Sequence, residues 1–263
     1  MGIVNVTPDS FFDGGRFLDV DAAVTHARRL VADAADVLDI GGESTRPGAA
    51  PVGEDVEIAR VVPVIEAIRR DSALPISIDT MKPAVARAAV AAGATMWNDV
   101  TALTFAPDGL ETAAALGCEV VLMHMQGEPR TMQTAPRYDD VVAEVAEFLI
   151  GRADAAIAAG VARAKIWLDP GIGFGKTAEH SLALLRNLDR IVALGFPVLV
   201  GVSRKSAIAR LAGDKSSQHQ RLGGSIAAAL AGAAAGAAMI RVHDVAETRQ
   251  ALAITAAIRQ AGA

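Results

Sequence analysis

Residues 167–176 read WLDPGIGFGK, and the fold turns on how that string is understood. Ile166, Trp167 and Leu168 form a short apolar run that Asp169 ends. Pro170 has no N–H and stops ladder pairing, while Gly171, Gly173 and Gly175 let the backbone turn tightly around a bound group. The string therefore reads as the mouth of a buried strand. A carboxylate in that place is costly unless something donates to it, so Asp169 is set to accept from a ligand with paired N–H donors. An ordinary Asp-Pro-Gly turn is the competing explanation.

Seven more runs have the same form outward along the chain. Strand-like segments fall at 2–6, 37–41, 75–79, 94–99, 119–124, 165–169, 197–202 and 237–242, each followed by a polar or Gly-containing turn. Helical periodicity fills the gaps. Asp19 and Asp21 precede a helix through Ala35, and 53–55 (GED) open one to Arg70. Pro83 sits in the first turn of an Ala-rich helix ending at Gly93. Others run from Pro107-Asp108 to Gly117, from Asp139-Asp140 to Gly160, and over 181–194 and 246–260. Alternating strands and helices imply parallel βαβ units, and eight of them close a (βα)8 TIM barrel. A doubly wound open sheet would carry a glycine-rich fingerprint after its first strand; here NVTPD (5–9) follows instead.

Composition bounds the class. A 263-residue chain with no linker or low-complexity break reads as a single domain over 1–263. Hydrophobic content of 52% against 21% charged describes a globular protein with ample core. A net charge of −5 argues against a nucleic-acid partner; an anionic substrate needs locally placed cations instead. Cys118 is the only cysteine, so an intrachain disulfide and a Cys-based zinc site are excluded, which suits a reducing cytoplasm. The N-terminus shows no signal peptide, and Val6 breaks the myristoylation pattern. Residues 222–240 carry no charge, but they are mostly Ala and Gly and are bounded by Arg221 and Arg241. They read as a helix running into a strand, with no membrane span expected.

Polar residues collect where the strands end. Asn5, Asp39, Asp79, Asn98, Asp99, His124, Asp169, Ser203, Arg204, Arg241 and His243 all lie at or just past strand C-termini. In a barrel those ends converge on one face, where catalytic groups sit. Asp79, Asn98 and Asp99, with Asp169, suit a flat heterocycle carrying donors and acceptors, such as a pterin or guanine; capping or turn chemistry is the alternative for each. Asp39 and Glu43 in DIGGES could do the same, but the adjacent glycines favour a structural turn there. Lys205 in GVSRKS (201–206) opens a helix, where a cation opposes the dipole, so a ligand role is favoured. A Schiff-base lysine depressed by Arg204 stays open as an alternative. Strand alternation puts Arg241 and His243 on one side, where a guanidinium can stack on a ring or bind phosphate; a surface Arg–Asp pair is the other possibility. Long loops at 5–17 and 41–53 read as lids or binding loops, with Phe11 and Phe12 as covering aromatics and Ser44, Thr45 and Arg46 as anion ligands. The loop at 127–138 has no assigned role, and His26, His180 and His219 read as ordinary exposed positions.

Together MGIVNVTPDSF (1–11), DIGGESTRPGA (39–49), SIDT (77–80), ND (98–99), LMHMQGEP (122–129), DPGIGFGK (169–176), SRKS (203–206) and RVHDV (241–245) resemble the dihydropteroate synthase family, in family order and across nearly the whole chain. The resemblance implies a (βα)8 barrel that condenses (7,8-dihydropterin-6-yl)methyl diphosphate with 4-aminobenzoate by SN1-like loss of diphosphate. It implies that Asp79, Asn98, Asp169 and Lys205 hold the pterin, that Arg241 stacks on it, and that Met123, Phe174 and Gly201 shape its pocket. Asn5, Thr45, Arg46, Arg241 and His243 would hold the diphosphate, with Mg²⁺ on Asn5. Phe11, Thr45, Arg46, Pro47, Lys205 and Ser206 would surround 4-aminobenzoate, and Asp9 would steady the cationic pterin or its lid. A cytoplasmic homodimer, with small-molecule substrates and neither nucleic acid nor membrane, is implied too. Family members usually carry a short segment before the first strand, whereas here that strand begins at Gly2.

Overall fold

The computed structural model describes residues 1–7, 16–45, 48–211 and 221–261. Among these, eight short strands alternate with helices: β1 Gly2–Asn5, β2 Leu38–Gly41, β3 Ile76–Asp79, β4 Met96–Asp99, β5 Glu119–Met123, β6 Ile166–Asp169, β7 Leu199–Gly201 and β8 Met239–Arg241. The helices are α1 Arg16–Ala32, α2 Glu54–Asp71, α3 Pro83–Ala91, α4 Gly109–Leu116, α5 Val141–Ala158, α6 Ala178–Arg186, α7 Leu188–Val192, α8 Ser206–Leu211, α9 Leu222–Ala234 and α10 Val245–Gln260. All strand pairs are parallel, in the order β1-β2-β3-β4-β5-β6, with β7-β8 as a separate ribbon. Single bridges close the ring, Leu168 to Val198 on one seam and Gly2 to Val242 on the other. The fold is a TIM barrel, as the strand count implies.

Strand parity divides the core. Val4, Leu38, Ile40, Ile76, Ile78, Trp97, Val120, Leu122, Ile166, Leu168, Val200 and Ile240 join the main cluster with the helices. The alternate residues point into the barrel. Its floor is an apolar plug of Met1, Val37, Met96, Val121 and Leu199, packed by Trp167 and Met239. Above that floor the inward positions turn polar, with Asp39, Ser77 and Asn98 each no more than 4% exposed. So the barrel is filled with hydrocarbon at one end and hydrogen-bonding groups at the other.

Local signals act largely as expected. Asp140 caps α5 by accepting from the N–H groups of Val142 and Ala143, and Pro83 occupies the first turn of α3. The uncharged 222–240 stretch splits into α9 and β8, and no helix among the described residues is long and apolar enough to cross a membrane. Two expectations need correction. The helix read over 181–194 is broken at Asn187, whose φ of −113° separates α6 from α7. His180 and His26 are half-buried rather than exposed: His180 completes a capping box with Thr177, and His26 Nε2 lies 3.2 Å from the Ile3 carbonyl oxygen.

Candidate active site

The C-terminal ends of the strands enclose a cleft in two connected parts. The inner part, about 30 Å³, is lined by Asp79, Asn98, Met123, Asp169, Phe174, Gly201, Lys205 and Arg241, with Val100, Gly171, Ile172 and Thr45. The outer part, about 250 Å³, shares Thr45, Asp79, Phe174, Gly201, Lys205 and Arg241 and adds Asn5, Ser203, Ser206, Arg221 and His243. Every residue that the family resemblance gives to the site and that lies among the described residues therefore faces one cleft, whereas Asp99 and His124 do not line it. Asp9, Phe11, Phe12, Arg46, Pro47 and His219 lie outside the described residues. A larger cleft of about 600 Å³ lies at the opposite end of the strands, lined mainly by Ala residues, Met1, Met239 and side chains of α10. It holds none of the expected chemistry.

Arg241 is the centre of the charge arrangement. Its Nε donates to Asp39 Oδ2 at 2.6 Å and its Nη2 to Asp79 Oδ2 at 2.7 Å. Burial opposes its charge, but Asp39 and Asp79 more than compensate and hold the guanidinium protonated. The surface Arg–Asp alternative belongs to another residue: Arg204 makes the bidentate pair with Asp244. What lowers Lys205 to about 8 is burial first and then Arg241, so the sequence-based attribution to Arg204 does not hold. Its Nζ lies 4.3 Å from the centre of the Phe174 ring.

The turn expected for Asp39 is not what the structure shows. The flanking glycines suggested a turn, yet Asp39 lies inside β2, fully buried, holding Arg241 and accepting from Asn98 Nδ2 at 3.3 Å. Asp99 errs the other way. Adjacent strand residues face opposite sides, so Asn98 points inward and Asp99 outward; Asp99 accepts from Thr101 N, Thr101 Oγ1 and Leu103 N. It is a turn carboxylate, raised to about 6 by burial against those donors.

Asp169 keeps one oxygen in its own turn, Oδ1 accepting from Gly171 N at 2.7 Å. Burial raises it to about 6, opposed by Gly171 N–H, Lys205 and Arg241. The glycines after it are required by contact as well as by φ. A Cβ on Gly171, at φ +66°, would meet the His124 carbonyl oxygen at 1.9 Å, and one on Gly175, at φ +59°, the Gln126 carbonyl oxygen at 2.3 Å. The unassigned 127–138 loop braces this turn. Gln133 Nε2 donates to Gly173 O at 2.5 Å and Tyr138 OH to Gly175 O at 2.8 Å, while Met132 and Gln133 line the outer cleft.

The base of the 41–53 loop is clasped by one side chain. Glu43 Oε1 accepts from Val52 N at 2.8 Å and Oε2 from Lys82 Nζ at 2.6 Å. Lys82 also donates to fully buried Glu57 at 2.5 Å, and Arg60 donates to Gly42 O at 2.7 Å. Thr45, which lines the cleft, follows Glu43 by two residues.

Two acids and an amide aimed into one narrow cavity, with a lysine and an arginine beside them, define a barrel that grips a flat nitrogen heterocycle, a pterin-binding enzyme. The sequence matches the pterin binding enzyme family over residues 1–243. Dihydropteroate synthase of Escherichia coli K12 is 48% identical over 257 residues, 98% of this chain and 90% of that protein. A dihydropteroate synthase from Xanthomonas albilineans, solved with 4-aminobenzoic acid, is 53% identical with a TM-score of 0.93, covering 98% of this chain and 92% of that one. The same enzyme in complex with 7,8-dihydropteroate superposes with a TM-score of 0.90 at 50% identity, over 98% and 92% of the two chains. The chain belongs to the dihydropteroate synthase family of transferases.

Proposed function

We propose that this chain, as one (βα)8 domain, condenses (7,8-dihydropterin-6-yl)methyl diphosphate with 4-aminobenzoate to 7,8-dihydropteroate and diphosphate. One observation carries the proposal: Asp79, Asn98 and Asp169 share an inner cavity with Lys205 and Arg241, and that cavity opens onto Asn5, Thr45 and His243. The acids and amide suit the amino-pyrimidinone edge of the pterin, with Met123 and Phe174 as apolar walls and Gly201 leaving room for the ring. Lys205 suits a ring acceptor, and Arg241 both the ring face and the anionic tail.

The bond that breaks is the one between the pterin methylene carbon and the diphosphate oxygen, whose electron pair leaves with diphosphate. The ring shares the resulting positive charge, so departure precedes attack. Arg241, His243, Asn5, Thr45 and Arg46 receive the departing anion. Ser206, Thr45, Arg46, Pro47, Lys205 and Phe11 surround the 4-aminobenzoate, whose amine attacks the methylene carbon and then releases a proton. An aniline nitrogen carries its lone pair free, so no general base is assigned. Asp9 steadies the cationic ring or its lid. No group of three or more His, Cys, Asp or Glu among the described residues could cage a metal. Asn5 in the outer cleft instead fits Mg²⁺ carried on the diphosphate, which Mg²⁺ commonly meets with few protein ligands. Bound there, Mg²⁺ supplies charge neutralisation for the leaving group.

A cytoplasmic homodimer belongs to the same proposal, supported by the free, buried Cys118 and by Ile254 and Ile258, exposed on α10. The small-residue helix α9 supports it less, since its Ser225, Ala229 and Gly232 are buried. Light scattering at working concentration tests the dimer.

A diphosphate-release assay with each substrate omitted in turn tests the reaction. Full turnover only with both, and slow release from the pterin diphosphate alone, are expected; release that ignores 4-aminobenzoate refutes the assignment. Asp169→Ala is expected to abolish pterin binding in a folded barrel, and Arg241→Ala to weaken diphosphate retention. Unchanged calorimetric affinities would count against each.

A further inference from the structure

The turn after β6 ends on a lysine that the proposed reaction does not use. Lys176 is 1% exposed, among the largest fully buried side chains of the protein. Its Nζ has three partners: His124 Nδ1 at 2.8 Å, His124 O at 3.2 Å and Phe174 O at 3.0 Å. An ammonium has three N–H donors, so all are used, and none goes to a carboxylate. A buried Met would fill similar space without the cost of placing a cation in the interior. Burial lowers Lys176 to about 7, opposed by Asp169, so the ammonium with its three donors is the form present below that pH.

Those partners belong to two segments that meet without slack. His124 follows β5 directly, and its carbonyl oxygen also faces Gly171, where no Cβ fits. Phe174 sits midway in the turn and carries the ring under Lys205. Lys176 thus bolts the end of β5 to the segment that begins with Asp169. The titratable groups facing it are few. They are His124, held down to about 3 by burial and by Lys176; Tyr138, with its ring centre 6.0 Å from Nζ; and the charges of Asp169 and Lys205. His124 accepts at Nδ1 and so carries its proton on Nε2 when the lysine is charged.

We propose that Lys176, together with His124, is a positioning residue of the pterin pocket: it fixes the 171–174 turn and places a buried positive charge behind Asp169 without touching the substrate. This rests on the pterin-binding function proposed above. The effect on Asp169 is through the field, since Lys176 favours its ionised form.

The experiment compares wild type with Lys176→Met, His124→Leu and His124→Asn in the full chain. Affinity for a dihydropterin lacking the diphosphate is measured by calorimetry from pH 5 to 8, with inorganic diphosphate titrated in parallel. Lys176→Met is expected to lose about tenfold in dihydropterin affinity, with the acid-side midpoint of binding moved to higher pH. Diphosphate affinity should stay within about twofold, because its ligands sit on other strands. His124→Asn keeps an acceptor near the Nδ1 position and should retain affinity, whereas His124→Leu should lose it. If Lys176→Met does not fold, the two His124 variants decide. Unchanged dihydropterin affinity and midpoint in Lys176→Met, or equal losses in the two His124 variants, would overturn the proposal. Wild type failing to bind the dihydropterin would instead bring down the functional assignment beneath it.

Discussion

Replacing Lys82 by Met isolates the clasp under the 41–53 loop. Met keeps most of the volume and removes the ammonium that sits 2.6 Å from Glu43 and 2.5 Å from Glu57. The three side chains are 7%, 8% and 0% exposed, so water cannot replace the lost partner. One Glu57 oxygen, Oε1, is already buried without a hydrogen bond. Breaking a buried ion pair from one side costs about 3–5 kcal/mol, a large share of the roughly 5–15 kcal/mol that holds a domain together. At about 2–4 °C per kcal/mol for a large domain, the midpoint of thermal unfolding should fall by about 6–20 °C.

The pH dependence carries a further check. Burial raises Glu57 above the ordinary carboxylate value of 4.5, and Lys82 is the first of the groups that oppose it, with Thr80. Without Lys82 the folded value rises further, so the variant takes up a proton on folding. Its stability should be lowest at alkaline pH and recover as pH falls toward 4.5. Urea denaturation followed by circular dichroism at pH 8 and pH 5.5 measures both effects. A loss under about 1 kcal/mol, equal at the two pH values, would refute the reasoning, because only exposed ion pairs behave that way.

Three further outcomes are expected. Dihydropterin affinity should fall as pH drops from about 7 to below 6, since burial leaves first Asp79 and then Asp169 to protonate, whereas Asp169→Asn should bind weakly and keep only the Asp79 step; calorimetry across pH 5–8 checks this. Gly171→Ala should be much worse than Gly173→Ala in urea denaturation. Both positions have positive φ, about 1–2 kcal/mol for a non-Gly residue, but only the first drives a methyl group into the His124 carbonyl at 1.9 Å, against a flexible Lys205 carbon at 3.4 Å. Asp39→Asn should destabilise the protein by about 3–5 kcal/mol and weaken diphosphate binding, since it releases Arg241 from one of its two anchors; titration calorimetry with diphosphate reads the second effect.

Much of the barrel is legible in the sequence because eight apolar runs, each ended by a polar residue, repeat at βα spacing, and parity then decides which side chains look inward. That pattern brings Asn5, Asp79, Asn98, Asp169, Lys205 and Arg241 together without any knowledge of contacts. What it does not reveal is pairing between distant segments. Asp39 and Arg241 are 202 residues apart, and His124 and Lys176 are 52 apart. Neither partner announces the other. Parity separates Asn98 from Asp99, since neighbours on one strand face opposite sides. The 127–138 loop was unreadable for another reason: its Gln133 and Tyr138 bond to backbone carbonyls of the glycine turn, which have no sequence signature.

The ring of strands is not uniform, and its two seams fall at informative places. Asn98, Asp79 and Asp169 stand on the six-strand sheet, whereas Lys205, Arg241 and His243 stand on or just after the two-strand ribbon, joined on each side by one bridge. Ring recognition thus draws on both parts of the barrel, and the ion pairs of Arg241 with Asp39 and Asp79 tie the ribbon to the sheet across the mouth. Amide exchange should be fastest along Leu168–Val198 and Gly2–Val242 and slowest in the middle of the sheet.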